Sequence, residues 1–130
     1  RKRNCVTKNL KIHGFCENSD EFGKLAIYGA DARAIQRIIE ENPSTLGKKL
    51  HADLPYCAAE IVWATRFEMA RTVEDVLARR TRALFLNAKA AIEVAPQAAE
   101  IMARELGKDK VWVENQIKQF NETAKNYLLF

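Results

Sequence analysis

Cysteine is scarce in this chain: Cys5, Cys16 and Cys57 are the only three in 130 residues, an odd count and far too few for a secreted disulfide scaffold. A reducing, intracellular setting is the expectation. Five glycines and three prolines supply little of the turn chemistry that a sandwich or barrel needs, which disfavours an all-β fold. No apolar run approaches the roughly 18 residues that cross a bilayer, so no transmembrane segment is expected. Histidine is nearly absent, and His13 and His51 lack Cys or carboxylate neighbours at ligand spacing, which leaves no metal site to assign. Gly14, Gly23, Gly29, Gly47 and Gly107 are dispersed, and none follows a strand and opens a helix, so no cofactor-binding loop is assigned either. Cys57 falls among apolar neighbours with no base presented to it, which reads as a buried structural thiol and leaves the chain without a catalytic residue.

What is present describes an ordinary folded domain. Hydrophobic residues make up 48% and charged residues 29%, enough to bury a real core within one domain. The net charge of +4 is unevenly placed: residues 1–11 carry Arg1, Lys2, Arg3, Lys8 and Lys11 with no acid, leaving 16 bases against 17 acids elsewhere. Nucleic-acid binders spread Lys and Arg along a folded face with aromatics between them, so a basic tail on a near-neutral body argues against that class. The chain starts at Arg1, and the basic stretch lacks the apolar segment of a signal peptide, so it reads as a piece of a longer polypeptide.

Residues 4–16 alternate weakly at Val6, Leu10 and Ile12, which suggests an isolated strand or extended connector whose pairing partner lies upstream. From Asn18 the period becomes helical. Ser19 or Asp20 opens a first helix that Gly29 breaks, and Asp31 caps a second that stops at Asn42-Pro43. A loop follows to Leu54. Pro55 opens a third helix running to about Ala70, apolar nearly all round through Ile61, Val62, Trp63, Phe67 and Met69. Thr72 and Asp75 form a capping box for the next helix. Asn87 caps a segment that reaches Gly107 with an expected break or kink at Pro96, and Asp109 caps a last helix with a stripe of Val113, Ile117, Phe120, Ala124 and Leu128. The expectation is an all-α, bundle-like domain of about six helices: residues 1–18 as an extended basic connector and 19–130 as the helical domain.

Two clusters carry charge worth following. Arg79, Arg80 and Arg82 flank Thr81, and guanidinium forks suit phosphate, but successive helical positions point about 100° apart and cannot converge unless the helix ends there. Ion pairs or interface contacts are the favoured role. Glu68 occupies a face led by Cys57, Ile61 and Ala64, where an apolar residue would be expected. If buried it needs a cation, and Arg79 or Arg80 from the next helix is the expected partner, against a solvent-facing carboxylate.

The run Leu54 to Leu86 and the following Asn87 to Gly107 carry a resemblance. Pro55-Tyr56, Ala58-Ala59-Glu60, Glu68, the continuous Thr72 to Thr81, Ala95-Pro96 and Glu105-Leu106-Gly107 resemble the C-terminal helical domain of the FAD-dependent glycerol-3-phosphate dehydrogenases and related oxidases. Asn87 stands where relatives often carry aspartate, and it preserves the cap. The resemblance implies an oxidoreductase of glycerol metabolism that converts sn-glycerol 3-phosphate to dihydroxyacetone phosphate, with hydride passing to flavin and electrons to a membrane quinone. It also implies that FAD, substrate and quinone chemistry belong to an upstream domain. This chain would pack on and support that domain, with Glu68, Arg79, Arg80, Thr81 and Arg82 as interdomain or ion-pair residues. The implied location is cytoplasmic, peripheral on the inner face of the cytoplasmic membrane. The competing class is a free-standing helical protein-interaction module, which would show an exposed apolar groove.

Overall fold

In a computed structural model that describes residues 3–128, every regular element among the described residues is helical, and the sole β contact is an isolated antiparallel bridge between Lys49 and Cys57. The chain is all-α. The α-helices are α1 (Ala32–Glu41), α2 (Pro43–Leu46), α3 (Ala58–Phe67), α4 (Ala83–Leu86), α5 (Ala88–Leu106) and α6 (Lys110–Ala124). Three 3₁₀ segments (Thr7–Asn9, Ser19–Asp31, Lys125–Tyr127) and one π-helical segment (Asp75–Arg80) complete the order. Backbone contacts gather into two compact units, one up to Gln36 and one from Arg37.

In the first unit, the alternation at Val6, Leu10 and Ile12 does not produce a strand. Thr7–Asn9 forms a 3₁₀ turn and all three apolar side chains face solvent, because a lone strand has no partner for its backbone groups. Arg1 and Lys2 of the basic tail lie outside the described residues. The helix expected from Ser19 is a 3₁₀ segment interrupted by positive φ at Gly23 and Gly29. Gly29 is required there: a Cβ would stand 1.9 Å from the Gly14 carbonyl oxygen, which accepts the Ala30 N–H at 3.0 Å. His13 Nε2 meets Asp31 Oδ2 at 2.8 Å beside this crossing.

The second unit is organised by α5. Alanines recur on one side of it, and Ala91, Ala95, Ala98, Ala99 and Met102 are buried where α3, α4 and α6 pack against it. Small side chains permit that close approach. Pro96 does not end the helix; it sits on the exposed face, where water can satisfy the carbonyl that loses its donor while the opposite face is held by packing. Gly107 then terminates it in the left-handed conformation, and the Lys108 N–H donates to the Ala103 carbonyl at 2.8 Å. Asn87 and Asp109 cap α5 and α6 by accepting the N–H groups of Ala90 and Trp112.

Four local details differ from the sequence expectation. The loop after Asn42 begins with the short α2, whose Pro43 suits a first turn. α3 starts at Ala58 rather than Pro55, because Tyr56 and Cys57 are held extended: the Leu50 N–H donates to the Tyr56 carbonyl at 3.0 Å and the Ala58 N–H to the Lys48 carbonyl at 3.2 Å. The same helix ends at Phe67, whose ring lies against Trp63 but is 61% exposed, and Met69 adopts φ 56° and is 76% exposed, so neither enters the core. Along α6, Phe120 and Ala124 are buried, Val113 and Ile117 only half so, and Gln116 is buried beside them.

Candidate functional site

The charged cluster forms where α3 ends and the π-helical segment begins and ends. Thr72 and Asp75 build its entrance reciprocally: the Asp75 N–H donates to Thr72 Oγ1 at 3.1 Å, and the Thr72 N–H to Asp75 Oδ2 at 3.0 Å. Burial raises the affinity of Asp75 for its proton, but the N–H of Arg71, the Thr72 side chain and backbone, and the Arg79 charge outweigh it, so its pKa lies below the usual carboxylate value. Val73, the first residue inside, would leave its N–H without an intrahelical acceptor, and Gln116 Oε1 of α6 accepts it at 3.0 Å. At the exit, buried Thr81 donates both its N–H (2.9 Å) and its hydroxyl (2.8 Å) to the Val76 carbonyl, which closes the wide turn.

The arginines do not converge. Arg79 pairs with Glu74 at 2.6 Å and with Asp75 at 3.0 Å on its own segment. Arg80 reaches back to the end of α3, where its Nε and Nη2 donate to the Glu68 carbonyl at 3.1 and 2.7 Å and its Nε lies 3.9 Å from Glu68 Oε2. Glu68 is half-buried; its Oε1 also accepts the Trp63 Nε1–H at 3.2 Å, so the carboxylate joins an indole donor and a guanidinium at the helix end. Arg82 follows in the left-handed region at φ 59°, with its guanidinium 6.0 Å from the centroid of the Phe85 ring.

Cys57 is half-buried at the N-cap of α3 rather than within the helix, and its N–H donates to Glu60 Oε2 at 2.7 Å. Burial, followed by the nearby Glu60 charge, pushes its thiol pKa up, away from a reactive thiolate. Sequence reasoning missed Gln116, although an amide one turn before Phe120 inside an apolar stripe is itself a signal for a buried partner. It also missed the bidentate Arg66–Glu105 pair, with contacts at 2.6 and 3.1 Å, whose members lie 39 positions apart. Among the described residues, no group of three His, Cys, Asp or Glu is gathered as for a metal.

Residues 5–112 match the family model described as the C-terminal domain of alpha-glycerophosphate oxidase. The chain belongs to this family. It is also similar to a probable mitochondrial glycerol-3-phosphate dehydrogenase of Caenorhabditis elegans, 40% identical over 64% of this chain and 11% of the relative. The mitochondrial glycerol-3-phosphate dehydrogenase of Macaca fascicularis is 38% identical over 65% of this chain and 11% of its own length. A probable mitochondrial glycerol-3-phosphate dehydrogenase of Dictyostelium discoideum is 29% identical across 97% of this chain and 21% of the relative. The chain thus spans about a tenth to a fifth of the relatives it matches. No solved structure matches it.

Proposed function

We propose that this chain is the C-terminal helical domain of an FAD-dependent glycerol-3-phosphate dehydrogenase, and that it packs on and supports the catalytic flavin domain of the same polypeptide. The family match over residues 5–112 carries the proposal. The parent would oxidise sn-glycerol 3-phosphate to dihydroxyacetone phosphate and pass electrons to a quinone. FAD belongs upstream: a dinucleotide cradle needs glycines at a strand-to-helix turn, whereas the described residues here have no strand and the glycines are scattered among turns and caps. No step of the oxidation is assigned to this chain. Glu68, Arg79, Arg80, Thr81 and Arg82 are proposed to shape the surface that meets the flavin domain, because they fix the turn from which α4 emerges.

No described helix is long and apolar enough to cross a membrane. For the parent we propose a peripheral place on the inner face of the cytoplasmic membrane. Cell fractionation tests this, and recovery in mitochondria, the compartment in the relatives' names, would move it.

The deciding experiment is glycerol-3-phosphate-dependent dye reduction by the full polypeptide, intact and truncated before Phe22, with the missing chain added back. Loss of activity or stability on truncation, restored by the added chain, is the expected result. Unchanged activity and no complex would refute the supporting role and favour a free-standing interaction module.

A further inference from the structure

Beside the charged turn, α4 buries Ala83 and Leu84 but leaves Phe85 and Leu86 54% and 63% exposed. The Phe85 ring meets Tyr127 edge-on at 5.5 Å, and between α4 and the C-terminal 3₁₀ segment lies a groove of about 430 Å³ that Leu128 and Lys89 also line. Among the described residues, no carboxylate lines it. Arg82 stands over Phe85 at its rim.

Of the five arginines between positions 66 and 82, four have oxygen acceptors: Arg66 in Glu105, Arg71 in the Thr65 and Ala70 carbonyls, Arg79 in Glu74 and Asp75, Arg80 in the Glu68 carbonyl. Arg82 has no oxygen acceptor among the described residues: its guanidinium stands over the Phe85 ring and close enough to the Tyr56 phenol to favour its ionised form, and it does so from a left-handed backbone that L side chains rarely adopt. The buried Thr81 immediately before it fixes that direction. A left-handed residue whose guanidinium has no acceptor among the described residues, set beside two exposed apolar side chains, matches the composition of interface anchors, which favour Arg and aromatics.

We propose that this groove, with Arg82 on its rim, is the seat for the upstream flavin domain, and that it accepts an apolar side chain flanked by a carboxylate that pairs with Arg82. The inference rests on the supporting role proposed above and names the surface that performs it. Two observations select the occupant. The rim is cationic, with Arg82 and Lys89 and no acid among the described lining residues, so an acidic-apolar segment complements it. The relatives also extend far beyond the matched part, which covers 11% of their length, and so carry the polypeptide that could fill it.

The test uses the full polypeptide with Arg82→Gly, Arg82→Glu and Phe85→Ser. Arg82→Gly is decisive, since glycine holds the left-handed position without strain while removing the guanidinium. The expected result is faster proteolytic cleavage between the two domains and faster hydrogen exchange at 83–86, by about tenfold, with the urea midpoint of the helical domain unchanged or raised. Arg82→Lys should recover part of the protection. Rates within twofold of the unaltered protein for both Arg82→Gly and Arg82→Glu would overturn the proposal. Two other results would also overturn it: deprotection produced by deleting Leu129 and Phe130, which assigns the groove to the chain's own end, or protection that rises with protein concentration, which assigns it to a second copy. If truncation before Phe22 abolishes dye reduction while the Arg82 variants dock normally, only the groove assignment falls; if truncation changes nothing, the supporting role falls with it.

Discussion

Replacing Gln116 with leucine isolates one long-range hydrogen bond whose loss can be sized from the structure. Gln116 Oε1 accepts the Val73 N–H at 3.0 Å, Val73 is fully buried and Gln116 is 8% exposed, so no water can replace the amide. A buried donor left unsatisfied costs about 1–3 kcal/mol. Leucine returns some apolar burial, about 0.8 kcal/mol per methylene, so the net loss should be roughly 1–2 kcal/mol. For a domain of this size, between the smaller and larger classes, each kcal/mol lowers Tm by roughly 3–5 °C.

Urea unfolding followed by far-UV circular dichroism measures the loss, and amide exchange at Val73 locates it. Gln119→Ala is the control. Gln119 accepts the other end of the same side chain, from Gln116 Nε2 at 3.2 Å, but is exposed and should change stability by less than about 0.5 kcal/mol. If Gln116→Leu shifts stability no more than this control, the Val73 bond does not hold α6 to the charged turn.

Phe120→Ala removes a side chain that is 1% exposed and should cost about 3–5 kcal/mol by thermal or urea unfolding. Thr81→Val removes the hydroxyl at the π turn, yet the Val76 carbonyl keeps the Thr81 N–H, so the cost by urea unfolding should stay near 0.5–1.5 kcal/mol. Asp75 has a folded pKa below its unfolded value, so its contribution is complete above the unfolded pKa near 3.8 and is lost as pH falls through the folded value. Asp75→Asn should therefore lower stability at pH 7 and flatten the acid limb of the stability curve below about pH 5. An acid limb identical to that of the unaltered chain would refute this assignment.

What was legible in the sequence is local in origin. Thr72 with Asp75, Asn87, Gly107 and Asp109 each act within a few residues of themselves, and each sits where the spacing placed it. The misplaced features depend on distant groups. Pro55 looks like a helix start until residues 48–50 pair with 56–58 and hold that stretch extended. Pro96 looks like a break until α3, α4 and α6 enclose the opposite face of α5. The wide turn at 75–80 carries no composition signal, since its register is set by Thr81 returning to Val76. For Glu68 the spacing pointed to a cationic partner, but the stronger tie is from Arg80 to the Glu68 main-chain carbonyl, which no pattern of side chains displays.

The ten residues from Thr72 to Thr81 form the continuous core of the resemblance, and almost every polar side chain in them is consumed in building the turn itself. Thr72 and Asp75 cap it, Arg79 answers the two acids of its first turn, Arg80 fastens it to α3, and Thr81 closes it. A signature spent in this way specifies a conformation rather than a ligand. The docking surface proposed above is what that conformation displays, namely Arg82 in its left-handed setting and the outward face of α4. The distinction has a measurable consequence. Substitutions inside 72–81 should lower the stability of the helical domain, whereas Arg82→Gly should leave that stability intact and weaken its attachment to the flavin domain, and Phe85→Ser should weaken the attachment while also losing the edge contact with Tyr127, about 0.5–1.5 kcal/mol.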